Sequence, residues 1–208
     1  MLKTESINFT YDGLSKFNFP DIQLNNADSL LVLGDSGVGK TTFIQILAGL
    51  LKPKSGQIHL DSVNYNELSL KEMDQFRGRR IGMIFQNPHF VRNLNIFDNL
   101  LLSLYLSKNI QDEKRVTQLL NELGLGNKLD SMPDDLSQGE QQRASIALSV
   151  IKQPDLILAD EPTSSLDDVN CQRIIKLLKE QAEKNKSKLI IITHDNRIKT
   201  QFNKSITL

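Results

Sequence analysis

Three short apolar runs punctuate the chain: Leu30–Leu33, Leu156–Ala159 and Leu189–Ile192. None alternates with polar residues, so each reads as a strand buried on both faces, the kind found in parallel sheets covered by helices. Segments of helical period lie between them. Lys40 to Leu51 predicts a helix stopped by the turn Lys52-Pro53-Lys54-Ser55-Gly56, and Gln57 to Leu60 a strand beyond it. Roughly 87–151 is mostly helical. Within it, Asp112 to Leu123 puts Val116, Leu119, Leu120 and Leu123 on one face, with Gly124 as the C-terminal cap. Asp168 to Lys184 repeats the pattern with Ile174, Ile175, Leu177 and Leu178. The expectation is an α/β fold over 1–208, a single domain with a parallel sheet core and a helical lobe inserted at about 87–151.

Composition narrows the partners. The 208 residues are 39% hydrophobic, ample for a core, and 25 Lys+Arg balance 25 Asp+Glu. Zero formal charge leaves no global positive field, so no nucleic-acid partner is expected and any anion must be bound locally. The one cysteine, Cys171, excludes an intramolecular disulfide framework and a multi-thiol zinc cluster, and fits a reducing compartment. His59, His89 and His194 lie far apart in sequence. The N-terminus lacks a basic-then-apolar signal pattern. The most lipid-like run, Leu100 to Leu106, is broken by Ser103 and Tyr105 and is far shorter than the roughly 20 residues of a spanning helix.

Gly34-Asp35-Ser36-Gly37-Val38-Gly39-Lys40-Thr41 follows an apolar strand and opens a helix, the context that G-x-x-x-x-G-K-[ST] requires. The glycines let successive amides turn inward around phosphate oxygens, helped by the positive end of the helix dipole. Lys40 would then neutralise the β and γ phosphates of a nucleotide, and the Thr41 hydroxyl would ligate Mg²⁺. The motif alone does not separate a GTPase, a kinase and an ATP-driven machine. Leu156-Ile157-Leu158-Ala159-Asp160-Glu161 is an apolar strand ending in two carboxylates. Beside a phosphate loop, Asp160 suits Mg²⁺ and Glu161 suits a base that orients the attacking water.

Leu136-Ser137-Gln138-Gly139-Glu140 precedes a helix running to about Ile151. Ser137 and Glu140 form an S-x-x-E capping box, which explains both residues without any ligand. In company with the phosphate loop, the segment also resembles the signature of ABC ATPases. The other motifs of that family follow in its order. Gln86 ends the run Ile81–Phe85 like the Q-loop, Ser164-Ser165-Leu166-Asp167 resembles the D-loop, and His194 resembles the switch histidine. Tyr11, 23 residues before Gly34, sits where the family stacks an aromatic on adenine, with Phe9 and Phe17 as neighbours able to do the same.

The resemblance spans about Ser6 to Asp195 and implies an ABC ATPase domain with an antiparallel β portion near the N-terminus. It implies ATP and Mg²⁺ as cofactors, with Glu161, His194 and Gln86 catalytic and Thr41, Gln86 and Asp160 at the metal. ATP would be held by Tyr11, Gly34, Asp35, Ser36, Gly37, Val38, Gly39, Lys40, Thr41 and Thr42 of one copy, and by Ser137, Gln138, Gly139, Glu140 and Asp167 of a second, paired head to tail. A separate membrane permease is implied as partner, which places the chain in the cytoplasm on the inner face of the cell membrane. The alternative is a soluble ABC ATPase acting on ribosomes or nucleic acid, against which stand the neutral charge and the lack of a tandem cassette or long coiled-coil insertion. With only fourteen residues after His194, no regulatory C-terminal domain is expected. Leu68 to Gln86 looks like the subgroup serving lipoprotein release, macrolide export and cell division. Phe90, Leu94, Ile96 and Phe97 either line the permease groove or pack the lobe. Two departures stand out: Gln138 replaces a usual glycine, and Leu148 a frequent arginine.

Overall fold

The computed structural model describes residues 1–13, 16–35, 37–164 and 166–208. Its centre is a parallel sheet in the order β10 (Lys204–Thr207), β4 (Ser29–Leu33), β9 (Lys188–Thr193), β8 (Leu156–Asp160), β7 (Ile81–Ile84). The three apolar runs are therefore adjacent strands. Alternate residues of each enter different cores. Leu30, Val32, Leu158, Ile190 and Ile192 pack with α1 (Lys40–Leu47) and an antiparallel sheet, whereas Leu31, Leu33, Ile157, Leu189 and Ile191 pack with the lobe helices and α6 (Asp168–Asn185). Burial on both faces is why these strands carry no polar alternation.

The antiparallel sheet is built on β1 (Leu2–Phe9), which pairs with β2 (Phe17–Asn18), β3 (Gln23–Leu24) and β5 (Ser55–Leu60); β6 (Val63–Asn64) adds to β5. In β1 the inward residues change parity, from Leu2 and Thr4 to Ile7 and Phe9. A bulge makes the change: Ser6 takes φ 52° and the register to β5 shifts between Glu5 and Asn8. One extra residue flips every later side chain to the other face.

The lobe comprises α3 (Ile96–Leu106), α4 (Glu113–Glu122) and α5 (Gln138–Val150). Asp112 caps α4 by accepting from the Arg115 amide, and Gly124 lies at φ 68°, the left-handed stop its position implied. Two sequence expectations need correction. The helix from Lys40 ends at Leu47, not Leu51, because Gly49 turns left-handed at φ 66° and the Leu50 amide bonds back to the Gln45 carbonyl, closing a Schellman-type cap. α2 (Leu70–Arg80) was not foreseen as a helix. Among its residues only Met73 is buried, so it has little apolar stripe to read, and it is fixed at its start by a Ser69–Glu72 capping box.

Candidate functional site

Sheet order builds the site. The C-terminal ends of β7, β8, β9 and β4 lie side by side and deliver, in that order, Gln86, Asp160 with Glu161, His194, and the Gly34 loop. Ligands of open parallel sheets bind at this edge. Here the ends border a cleft of about 510 Å³ lined by Phe17, Asp35, Gly37, Gly39, Lys40, Thr41, Thr42, Gln86, Asp160, Glu161 and His194.

The glycine loop opens α1 through its backbone. Gly39 caps the helix at φ 99°, with no side-chain cap and no acidic residue in the first turn, so no carboxylate of the helix itself competes for the amides. Lys40 folds into the loop and donates to the carbonyls of Gly34 at 2.7 Å and Asp35 at 2.8 Å, with its ammonium 3.9 Å from Glu161 Oε1. Two neutral carbonyls thus hold the ammonium in the loop, with the Glu161 carboxylate as an anionic neighbour.

Burial raises the Asp160 carboxyl, while a hydrogen bond from Thr41 and the nearby Lys40 charge act to lower it. Thr41 and Asp160 thus place a hydroxyl and a carboxylate together, a hard oxygen donor set that suits Mg²⁺.

Glu161 sits at φ 49°, a left-handed conformation that costs a non-glycine residue about 1–3 kcal/mol and persists only where neighbours over-determine it. They do. Its amide donates to the Ile192 carbonyl at 2.8 Å, Oε2 accepts from the Thr193 hydroxyl at 2.7 Å, and Oε1 accepts from the His194 amide at 3.1 Å and lies 2.8 Å from His194 Nδ1. Gln86 is fixed from the β8 side: its Nε2 donates to Ser164 Oγ at 3.3 Å, and that hydroxyl donates to the Glu161 carbonyl at 3.2 Å.

Other expected residues fall elsewhere. Phe17, rather than Tyr11, lines the cleft; Tyr11 is mostly exposed, packs edge-on against Phe9 and Phe17, and shares a 3.1 Å hydrogen bond with Thr42 Oγ1. Gly34 contributes through its carbonyl, and a Cβ there would meet Val38 at 2.9 Å, so Val38 packs under the loop. Ser36, and Ser165 of the D-loop-like segment, lie outside the described residues.

Ser137, Gln138, Gly139, Glu140 and Asp167 are not brought to this chain's own cleft. Ser137 and Glu140 make the expected capping box: the Ser137 amide and hydroxyl both donate to Glu140 Oε2 at 2.8 Å, and Lys128 stands 3.4 Å from the other oxygen. These bonds hold the Glu140 carboxyl below its ordinary value. Gln138 is the first residue of α5 and needs no positive φ, so the missing glycine costs no strain. Asp167 caps α6, accepting from the Asn170 amide at 2.9 Å.

Ile96 is fully buried, and Phe97 and Leu148 pack against the lobe core. Phe90 lines a separate groove of about 430 Å³ with Leu102, Leu106, Leu148 and Lys152. Lys152 donates to the Gly78 carbonyl at 2.9 Å, and burial pulls its ammonium down to about 8.

One neighbourhood beside the site carries almost no sequence signal. The Arg197 guanidinium brackets Asp195, next to His194, with Nε at 2.9 Å from Oδ1 and Nη2 at 2.7 Å from Oδ2. This pairing holds the Asp195 carboxyl at about 2. No motif flags Arg197; the only hint is a basic residue two positions after an acidic one at a strand end.

A glycine loop opening a helix, an acidic strand end and a histidine just beyond the intervening strand are the parts of a P-loop ATPase core. Comparisons with known proteins agree and go further. The family model described as "ABC transporter" matches residues 18–164. The lipoprotein-releasing system ATP-binding protein LolD of Buchnera aphidicola subsp. Acyrthosiphon pisum is 38% identical over 189 residues, covering 90% of this chain and 82% of its own. The methionine import ATP-binding protein MetN of Carboxydothermus hydrogenoformans is 34% identical over 206 residues, covering 97% of this chain and 61% of its own. Among solved structures, the dimeric post-hydrolysis state of the ATP-binding cassette MJ0796 bound to ADP and Pi superposes with a TM-score of 0.88 at 28% identity, covering 100% of this chain and 94% of that one. The chain belongs to the ABC transporter family and is an ATP-binding, ATP-hydrolysing subunit of that family. Among the described residues no helix is long and apolar enough to cross a membrane.

Proposed function

We propose that two copies of this chain, or this chain and a paired cassette, close head to tail around two ATP molecules and drive a separate membrane permease. The observation that carries this reading is the row of strand ends placing Lys40, Asp160, Glu161 and His194 around one cleft while Ser137 and Gly139 stand away from it. Lys40 and the loop amides bind the phosphates. Thr41, Asp160 and Gln86 would hold Mg²⁺, which when bound screens phosphate charge. Glu161, held by Thr193 and the His194 amide, takes the proton of the attacking water, and His194 contacts the γ-phosphate. Phe17 and Tyr11 form an aromatic wall for adenine. From the second copy, Ser137, Gln138, Gly139 and Glu140 at the start of α5, and Asp167, complete the pocket, so the γ-phosphate joins the halves and its loss releases them.

Residues 87–151 act as a lobe within a single ATPase domain. Its apolar groove around Phe90, Leu102 and Leu106 suits a permease segment, which puts the chain on the cytoplasmic face of the membrane. The likeness to LolD favours a permease of the lipoprotein-release type. The test is Glu161→Gln. ATP binding should persist, turnover should fall by about 10²–10⁴-fold, and saturating ATP should trap a dimer in solution scattering. Hydrolysis at the parental rate would overturn the role given to Glu161. Replacing Ser137 with Arg should spare ATP binding by the single copy and block the dimer; normal turnover there would contradict the shared site.

A further inference from the structure

Arg197 does not line the cleft, yet its guanidinium joins three segments. Besides bracketing Asp195, its Nη1 donates to Asp168 Oδ1 at 2.5 Å, and both Nη1 and Nη2 lie 3.4 Å from the Leu166 carbonyl. Asp195, 8% exposed, also accepts from the Thr163 hydroxyl at 3.2 Å, and its amide donates to Thr193 Oγ1 at 3.0 Å. That same threonine hydroxyl donates to Glu161. A continuous chain of contacts therefore runs from Asp168 and Leu166 through Arg197 and Asp195 to Thr193, Glu161 and the His194 loop.

The geometry points to Arg197 as a positioning residue for ATP turnover: it ties the segment Leu166–Asp168 to the loop carrying His194, so that displacing one displaces the other. A planar five-donor fork can serve a bidentate carboxylate, a second carboxylate and a carbonyl at once, which a lysine cannot. Asp168 is the informative partner. Its side chain is 82% exposed, so its bond to Arg197 carries little stability, and it makes no contact of its own with the His194 loop among those described. Coupling evidence must therefore show an effect at one end when the other is changed.

The role in turnover rests on the assignment of Glu161 and His194 above; the mechanical coupling does not, and two measurements keep them apart. Hydrogen exchange is followed on the full chain without nucleotide. Asp168→Asn should leave the melting temperature unchanged and accelerate exchange at 194–196 by roughly two- to threefold, the local opening that loss of one exposed pair allows. Acceleration confined to 166–170 would overturn the coupling. In steady-state ATPase assays, Arg197→Lys should retain stability and ATP affinity yet lower kcat by roughly tenfold, the size expected when a reacting group loses alignment. If Arg197→Lys restores kcat in step with stability relative to Arg197→Ala, the residue is merely structural and the proposal fails. Should the parent and Glu161→Gln hydrolyse ATP equally, the turnover assignment falls, while the exchange result still decides the coupling.

Discussion

The N-termini of α1 and α5 are two versions of the same object, a helix end with unpaired amides, completed in opposite ways. α1 begins at Gly39 in a left-handed conformation, with neither a side-chain cap nor an acid in its first turn. α5 begins at Ser137 in an extended conformation, closed by a reciprocal box with Glu140. The first end is left for a ligand to satisfy, with Lys40 beside it. The second is satisfied internally and pairs its carboxylate with Lys128. A helix end that must bind phosphate alone gives up its own cap. On the proposed function, α5 meets phosphate only when a second copy arrives, and such an end can keep its cap until then.

The contrast can be broken most strongly at Lys40. Lys40→Ala should lower ATP affinity of the single copy by about 100-fold, the loss of charge-assisted hydrogen bonds worth about 3 kcal/mol. Ser137→Ala should leave it unchanged within about twofold. Equal losses in calorimetric titration would erase the distinction. Next come the glycines. A Cβ on Gly39 would lie 2.7 Å from the Phe17 ring in a left-handed backbone, so Gly39→Ala should cost about 1–3 kcal/mol and several degrees of melting temperature. A Cβ on Gly139 would meet only Arg143 Nη1 at 3.7 Å, so Gly139→Ala should raise stability by up to about 1 kcal/mol. Thermal melts of the two variants should move in opposite directions.

Smaller still, Ser137→Ala should cost about 1 kcal/mol in urea unfolding through the lost cap. pH gives the finest test. Because hydrogen bonds from Ser137 hold Glu140 low, its contribution is complete above the unfolded value of about 4.3 and disappears as pH falls through the lower folded one. The group is exposed, so only a few tenths of a kcal/mol are at stake. The stability gap between the parent and Glu140→Gln should shrink from about pH 6 to about pH 3.5. α1 has no first-turn acid and should contribute no such change.

What the chain discloses depended on how locally each feature is encoded. The runs at 30–33, 156–159 and 189–192 became β4, β8 and β9 within a residue or two, because two-sided burial forces an unbroken apolar string. The phosphate loop and the Ser137 box were legible for the same reason, since spacing of a few residues determines them. Three things were hidden. The parity change in β1 depends on a bulge at Ser6, which only distant parts of the chain enforce: the β5 pairing and a hydrogen bond from the Ser6 amide to the Asp21 carboxylate. α2 hides because a mostly exposed helix needs no stripe. Phe17 and Arg197 act across 20 to 30 residues of sequence, toward Gly39 and Asp168, where spacing carries no information. Tyr11 shows the cost: counting back from Gly34 finds the aromatic cluster, but only the fold tells which ring faces the cleft.

The strand order has a consequence for biosynthesis. β4 supplies the loop and β8 the carboxylates, yet β9 lies between them, and it is made after both. A chain emerging from the ribosome at about 5–20 residues per second thus carries both halves of the pocket before the wedge that sets their spacing exists. A chain cut before about Thr193 therefore lacks the wedge that sets the distance between loop and carboxylates, and should fail to hold the nucleotide that the full fold holds.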